Sequence, residues 1–279
     1  MSATQPADPV TRSANGPSLV RPSHRVSVAW LAIGSMTAVV SLLFGTVQTV
    51  GLIAHGERTE QVTIADPAVK VLDIASDAGH VEVIGADVST VHITARISDG
   101  ITKTRFRHEV VGDRLQVQVR CTFVIGGPWC RGHLRIVVPR GLEVKIRALD
   151  DLVTVRGLTG RVDAESADGS VEAEGLSGPT RLHAGNGTVR AARLRSDSVQ
   201  ADSDNGTVRI VFDRAPLSAL AHSDNGDVGV VVPRIGQGYD VQLSSDNGST
   251  DGRVRTDSTS DRHIVASSNN GNVTVRYPD

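Results

Sequence analysis

Two carboxylates in the second half of the chain have the residue type that glycoside hydrolysis uses. Glu172 and Asp163 lie in one segment of a repeated pattern, and that chemistry needs two carboxylates facing each other across about 5–9.5 Å. Arg181 and Arg190 occupy the equivalent positions one repeat later, so pairing across a solvated face is the simpler interpretation. No serine stands in a G-x-S-x-G elbow, and no glycine-rich loop has phosphate-binding spacing. We therefore predict no catalytic residue and no cofactor, and expect that the chain is not an enzyme.

Two other groups of side chains could bind a metal ion. His183 and His222 are equivalent residues two repeats apart, roughly 9–10 Å if repeats stack at about 4.8 Å. Two imidazoles that each lie about 2.1 Å from one zinc ion cannot span that distance. Asp204, Asp224 and Asp246 would form a column of carboxylates on successive repeats, and calcium binds such oxygen-rich groups. We favour the alternative, in which each aspartate hydrogen-bonds its own backbone and fixes a turn. We therefore predict no metal site, and calcium binding by these three aspartates is the competing interpretation.

The repeated pattern is a turn signal that contains an Asp-Gly or Asn-Gly step, from SADGSV to SSNNGNV. Its glycines are separated by 18, 19, 20, 22 and 23 residues, and an isolated earlier copy, SDAGHV, adds one more. Small apolar residues recur two and four positions after the glycine, and five and seven positions before it. Spacing by two indicates a strand with one buried face on each side of the turn, and Asn-Gly turns favour positive φ. The predicted turn glycines are Gly79, Gly169, Gly187, Gly206, Gly226, Gly248 and Gly271.

The period decides between two arrangements of these strands. Locally, the pattern describes a string of hairpins, whereas the near-constant period favours repeats that stack into a β-solenoid. The fifth copy is the weakest, because Thr250 and Gly252 replace the usual Val and Ile. We predict an all-β fold: a solenoid-like repeat part over 147–279, preceded over 62–146 by a less regular β layer with antiparallel or mixed strands.

The start of the chain resembles a membrane anchor. Residues 26–54 contain no charged side chain, and about 20 such residues cross a bilayer as a helix. A cleaved signal peptide and a buried soluble helix are the alternatives, although the apolar stretch is long for a signal peptide. Residues 1–25 are rich in Pro, Ser and Thr and should be disordered. Arg12, Arg21 and Arg25 precede the span, which predicts that this tail is cytoplasmic. Residues 55–61 would be a linker to an extracytoplasmic part.

The two cysteines, Cys121 and Cys130, lie nine residues apart in CTFVIGGPWC, across a Gly-Gly-Pro turn. We predict a disulfide at the base of a hairpin. Closing so short a loop would stabilise the folded chain by about 2.7 kcal/mol in the chain-entropy model. A metal site is the competing interpretation, but no third cysteine or histidine pair has ligand spacing. A disulfide would imply an oxidising compartment.

The order of several short motifs resembles a bacterial family of β-strand repeats called "putative adhesin", long described as a domain of unknown function. The motifs are SDAGHVEVIG, GDRLQVQV, HLRIVVPRGLEVKI, TVRGLTGRVDAESADGSVEAEGLSG and, near the end, GQGYDVQLSSDNG and SSNNGNVTVRY. The resemblance covers about residues 62–279. It implies a solenoid-like surface domain that is often tethered to the membrane, and it supplies no catalytic residues.

The function predicted from these observations is binding or scaffolding of a cell-envelope polymer or protein by a single-pass membrane protein. An envelope-stress or signalling accessory protein is the alternative, and a polysaccharide-acting β-helix enzyme is a distant third. The formal net charge of -2 argues against nucleic acid as a partner, since neutralising phosphates needs a basic surface.

Overall fold

A computed structural model describes residues 56–77, 79–99, 104–121, 131–150 and 152–279. All helix or strand structure in these ranges is β-strand, which confirms the all-β prediction. Within the same ranges, no helix has the length and apolarity needed to cross a membrane. The predicted tail over 1–25 and the predicted span over 26–54 lie outside the described residues, so both stay predictions.

The described residues form 21 strands. In chain order they are β1 (Gly56–Ile64), β2 (Val71–Ser76), β3 (His80–Ala86), β4 (Val91–Asp99), β5 (Arg105–Val111), β6 (Arg114–Arg120), β7 (Arg131–Pro139), β8 (Glu143–Ala148), β9 (Val153–Arg156), β10 (Val162–Ser166), β11 (Val171–Glu174), β12 (Thr180–Ala184), β13 (Val189–Leu194), β14 (Ser198–Ser203), β15 (Val208–Phe212), β16 (Ser218–Asn225), β17 (Val228–Val231), β18 (Asp240–Ser245), β19 (Thr250–Arg253), β20 (His263–Asn270) and β21 (Val273–Arg276).

The strands belong to two sheets. The first sheet has 11 strands in the order β1-β4-β7-β3-β9-β11-β13-β15-β17-β21-β19, and the second has 10 in the order β18-β20-β16-β14-β12-β10-β8-β2-β6-β5. From β8 onwards the chain alternates between the sheets, so two consecutive strands joined by a corner form one strand pair. Equivalent strands of neighbouring pairs run parallel, as in β10 against β12 and β11 against β13.

The core is built from the four predicted columns of small apolar residues. Val171, Val189, Val208 and Val228 are aligned in register along the first sheet, and each is at most 1% exposed. Alternate residues of both sheets contribute to one hydrophobic core, because successive side chains on a strand point to opposite faces. The spacing by two in the sequence therefore identified the inward face correctly.

The last strand pairs are not arranged in space in their sequence order. The pair β20/β21 lies between β16/β17 and β18/β19, so the outermost pair at this end is the second-last in sequence. Thr250 and Gly252 belong to this outermost pair and are exposed. Their departure from the apolar columns follows from this position, since a terminal strand pair has no neighbour on one side to bury its inward residues.

The other end shows the same rearrangement. The pair β2/β3 lies between β6/β7 and β8/β9, again placing the outermost parallel pair out of sequence order. Antiparallel strands then extend both sheets, with β4 and β1 beyond β7 and with β5 beyond β6. Residues 62–146 therefore contain both parallel and antiparallel pairing, and they share the two sheets with the later repeats.

The turn glycines are required for a different reason from the one predicted. Of the seven, only Gly79 has a positive φ, at 95°. Positive φ is the requirement of a hairpin that reverses within one ladder, whereas here the turn joins strands of different sheets. A Cβ added to Gly206 would instead collide with the carbonyl oxygen of Gly187, and one added to Gly226 would collide with that of Gly206. Close stacking of backbone on backbone therefore excludes any side chain.

We expect Gly206→Ala to destabilise the protein by about 1–3 kcal/mol, the usual cost of overpacking. The matched control is Gly229→Ala on β17, where an added Cβ meets no atom within 4 Å and φ is not positive. The control should be neutral or slightly stabilising, because glycine weakens a strand interior. Urea unfolding of the two full-length variants measures both free energies, and equal effects would contradict the stacking explanation.

Candidate binding surface

The two carboxylates with glycosidase potential do not face each other. Asp163 lies on β10 in the second sheet and Glu172 lies on β11 in the first sheet. Each alternates with buried residues of its strand, so the two side chains leave the molecule on opposite faces. Packed sheets are about 10 Å apart even before outward side chains are added. In register, Asp163 is next to Arg181 and Glu172 is next to Arg190, so the expected neighbours lie side by side, but neither couple is among the ion pairs of the described residues.

Ion pairs link neighbouring strands across the outward face of the first sheet. Glu82 accepts hydrogen bonds from Arg135 at 3.0 Å and from Arg156 at 2.6 Å. Arg156 Nε also lies 3.4 Å from Glu174 Oε2, and the Glu174 carboxylate in turn pairs with Arg193. The row alternates in sign across five strands, β7, β3, β9, β11 and β13. The outer pairs of Glu174 are partly exposed and are worth at most about 1 kcal/mol each. Glu82 is different, because its side chain is only 11% exposed, and its two arginines supply the partners that a largely buried carboxylate requires.

A ladder of side-chain amides runs along the corner formed by the turns. Each asparagine Nδ2 donates to the side-chain oxygen of the preceding strand pair, at 2.7–3.0 Å. The ladder consists, in spatial order, of Asp168, Asn186, Asn205, Asn225, Asn270 and Asn247. In the sequence these residues belong to the repeated turn signal with its Asp-Gly or Asn-Gly step, and the ladder itself was not predicted. The signal that identifies them is their shared position directly before the turn glycine.

Buried serines form a second ladder beneath the amides. The Oγ atoms of Ser203, Ser223 and Ser268 donate to the carbonyl oxygens of Gly187, Gly206 and Gly226, at 2.7–2.8 Å. These serines are at most 3% exposed, so an unmade bond at any of them would leave a buried polar group without a partner. The corner is therefore held by hydrogen bonds between strand pairs, and its polar atoms are used structurally.

The predicted column of three successive carboxylates is interrupted. Asp204 and Asp224 lie on adjacent strand pairs, but Asn269 of β20 stands between Asp224 and Asp246, because β20/β21 is inserted at that point. Asn269 donates to Asp224 Oδ1 at 2.8 Å, and His222 Nε2 lies 3.1 Å from the same oxygen. The prediction of three adjacent carboxylates is thus wrong. Among the described residues, no group of three His, Cys, Asp or Glu side chains has the geometry to hold a metal ion.

The two equivalent histidines lie two strands apart, as predicted. Asp202 on β14 separates His183 on β12 from His222 on β16. His222 Nδ1 lies 2.9 Å from Ser267 Oγ, and its other nitrogen faces Asp224. Both rings therefore belong to an outward polar row and do not converge on a common point.

A surface concavity of about 490 Å³ lies beside Tyr239, Arg255 and Asp257 near the last strand pairs. The Tyr239 hydroxyl donates to the Pro233 carbonyl at 2.7 Å, and burial raises the pKa of Tyr239 to about 12. A phenol with so high a pKa stays protonated at neutral pH and does not serve as a base there. Hydrogen bonds from Thr259 lower the pKa of Asp257, so this carboxylate is also fixed locally.

The cysteine prediction is only partly within the described chain. Cys121 directly follows β6, while Cys130 lies outside the described residues. The disulfide between them stays a prediction.

We expect that calcium does not stabilise this corner, because Asn269 interrupts the carboxylates and Asp224 already binds two side chains. Thermal unfolding should give the same melting temperature in calcium and in a chelator. Asp204→Asn/Asp246→Asn should behave alike in both, since neither residue shares the bonds of Asp224. A calcium-dependent rise in melting temperature that this double variant abolishes would contradict the assignment.

No family model matches the chain, and no curated protein matches it either. Among solved structures, it is similar to one described as a putative cell adhesion protein from Clostridium sporogenes, with 11% identity and a TM-score of 0.38 over 80% of this chain and all of that chain. It is also similar to one described as a putative adhesin from Bacteroides fragilis, with 14% identity and a TM-score of 0.42 over 80% of this chain and 97% of that chain. Likenesses at this level assign neither a function nor a ligand to the chain, and membership in the adhesin-like family stays a prediction.

Proposed function

We propose that this chain is a membrane-anchored, extracytoplasmic β-solenoid-like protein that binds or scaffolds a cell-envelope polymer or protein without catalysis. The observation that carries the proposal is the outward face of the second sheet, where one row of side chains continues in register across all ten strands. The row is Glu109, Gln116, Asp73, Lys145, Asp163, Arg181, Gln200, Leu220, Val265 and Gln242. At about 4.8 Å per strand, it is about 43 Å long.

A row with this spacing suits an extended partner. It places one polar, charged or apolar side chain on each strand, and Leu220 within the row is 37% exposed. Protein interfaces combine polar and apolar contacts in this way. Within the row, Asp73 is paired with Arg114 at 3.0 Å and with Arg147 at 3.3 Å. A carboxylate held in this way positions a ligand more readily than it transfers a proton.

The anchor and the location of the repeats rest on the sequence alone. The uncharged segment over 26–54 is long enough to span a bilayer, and three arginines on its N-terminal side favour a cytoplasmic tail. A predicted disulfide is compatible with an oxidising compartment.

The topology is tested by impermeant thiol labelling of intact cells. Cysteine introduced as Ser258→Cys, an exposed residue, should react, and Ser13→Cys should react only after permeabilisation. The unsubstituted chain controls for the two native cysteines. Labelling of Ser13→Cys alone in intact cells would contradict the proposed orientation.

Binding is tested by retention of the purified full-length chain on cell-envelope fractions, with analysis of any product released. Arg181→Glu should weaken retention several-fold, because it reverses a charge in the middle of the proposed face. Arg190→Glu is the matched control, since it is an exposed arginine of the same strand pair on the opposite sheet. Equal loss in both variants would contradict the assignment to this face, and release of glycan fragments would contradict a non-catalytic role.

A further inference from the structure

Three arginines lie together on the outer face of the β5–β6 hairpin, at one edge of the second sheet. Arg105 and Arg120 are directly opposite each other in the antiparallel ladder, and Arg107 is opposite Gln118. Directly opposed residues share a face, and so do residues two apart on one strand. These four side chains line a surface concavity of about 310 Å³. We call it the arginine pocket.

The charges of the arginine pocket are not balanced by the described part of the chain. Arg114, on the same strand as Arg120, pairs with Asp73 at 3.0 Å, but no described carboxylate lies within 4.0 Å of Arg105, Arg107 or Arg120. Glu109, the next outward residue of β5, is opposite Gln116 instead.

Like charges directly opposite in a ladder destabilise a sheet. The pair of Arg105 and Arg120 is therefore a local cost that no ion pair within the described residues offsets. A ligand that carries negative charge would remove this repulsion.

We propose that the arginine pocket binds an oxyanion, the phosphate or carboxylate group of an anionic envelope polymer; this inference rests on the proposed function. Guanidinium groups present planar pairs of N–H donors that match both phosphate and carboxylate, and the Gln118 amide adds a neutral donor. The volume is at the low end of the range for ligand pockets, about 300–1,000 Å³, which suits one charged unit of a polymer.

The position of the pocket fits a polymer that lies along the second sheet. Arg107 and Gln118 begin an outward row that continues in register through Ala75, Arg147 and Glu165. The pocket therefore lies at one end of the face that carries the proposed binding row. One charged unit of the polymer binds in the pocket, and neighbouring units of the polymer contact the row.

The test measures binding of three soluble polymers to the full-length chain: polyphosphate, polygalacturonate and neutral dextran. At least one of the two anionic polymers should bind, with affinity that falls as salt is raised, and dextran should not. Comparison of polyphosphate with polygalacturonate distinguishes phosphate from carboxylate as the preferred group. If neither anionic polymer binds, or if dextran binds as well, the proposal is wrong.

Arg105→Gln/Arg107→Gln should lower the affinity at least tenfold. The charge-matched control is Arg190→Gln/Arg209→Gln, which removes two exposed arginines that are in register on the first sheet. It should change the affinity less than twofold, and equal losses in both variants would show a nonspecific charge effect and overturn the proposal.

Stability separates loss of the site from loss of the fold. Arg105→Gln/Arg107→Gln should keep or raise the melting temperature, because it removes repulsion across the ladder, and a large fall would overturn the account of the pocket. Retention of the parent chain on envelope fractions is measured in parallel. If retention survives while anionic polymers fail to bind, only the pocket is wrong; if retention fails while they bind, the proposed function is wrong and the pocket stands.

Discussion

The spacing of about 4.8 Å between hydrogen-bonded strands governs the corner at which the strand pairs turn. At that spacing the backbone of one turn lies directly on the backbone of the next, so an added Cβ at Gly187, Gly206 or Gly271 would collide with the carbonyl oxygen of the neighbouring turn glycine. The same closeness allows buried serines to reach those carbonyls and exposed asparagines to reach each other. The strand spacing therefore explains the glycine, the serine and the asparagine at this corner. The alanine- and valine-rich interior is consistent with the same close spacing.

Much of the fold was predictable because its signals are local. The spacing by two identified inward residues such as Val208 and Ala221, and the period of the turn glycine identified which residues align in columns. The sign of φ was not predictable in the same way, since the Asn-Gly step occurs in tight hairpins and in corners between sheets alike. Only the tertiary path of the chain, which leaves one sheet for the other at this step, decides between them.

The spatial order of the strand pairs was not predictable from the sequence, and this order decides which corner residues are neighbours. Equivalent columns pair equally well in several orders, so the sequence does not state which strand pair lies beside which. The weak columns at Thr250 and Gly252 were the one local sign of a terminal position. Because β20/β21 is inserted before that position, Asn269 separates two aspartates that the sequence made adjacent. The arginine pocket was not predicted for a different reason: Arg105 and Arg120 lie at the two ends of one hairpin, and they meet only through the register of its antiparallel ladder.

The placement of β20/β21 inside the stack also bears on how the molecule would respond to mechanical tension. The last strand, β21, is flanked by β17 and β19 and runs parallel to both. A pull along the strand from the C-terminal end would therefore load two ladders of hydrogen bonds in shear at once, where an edge strand would engage one ladder. The outermost pair, β18/β19, is joined covalently to the chain on both sides and cannot be peeled away from a free end. The exchange of order between β18/β19 and β20/β21 therefore makes this end of the two sheets harder to unfold under tension.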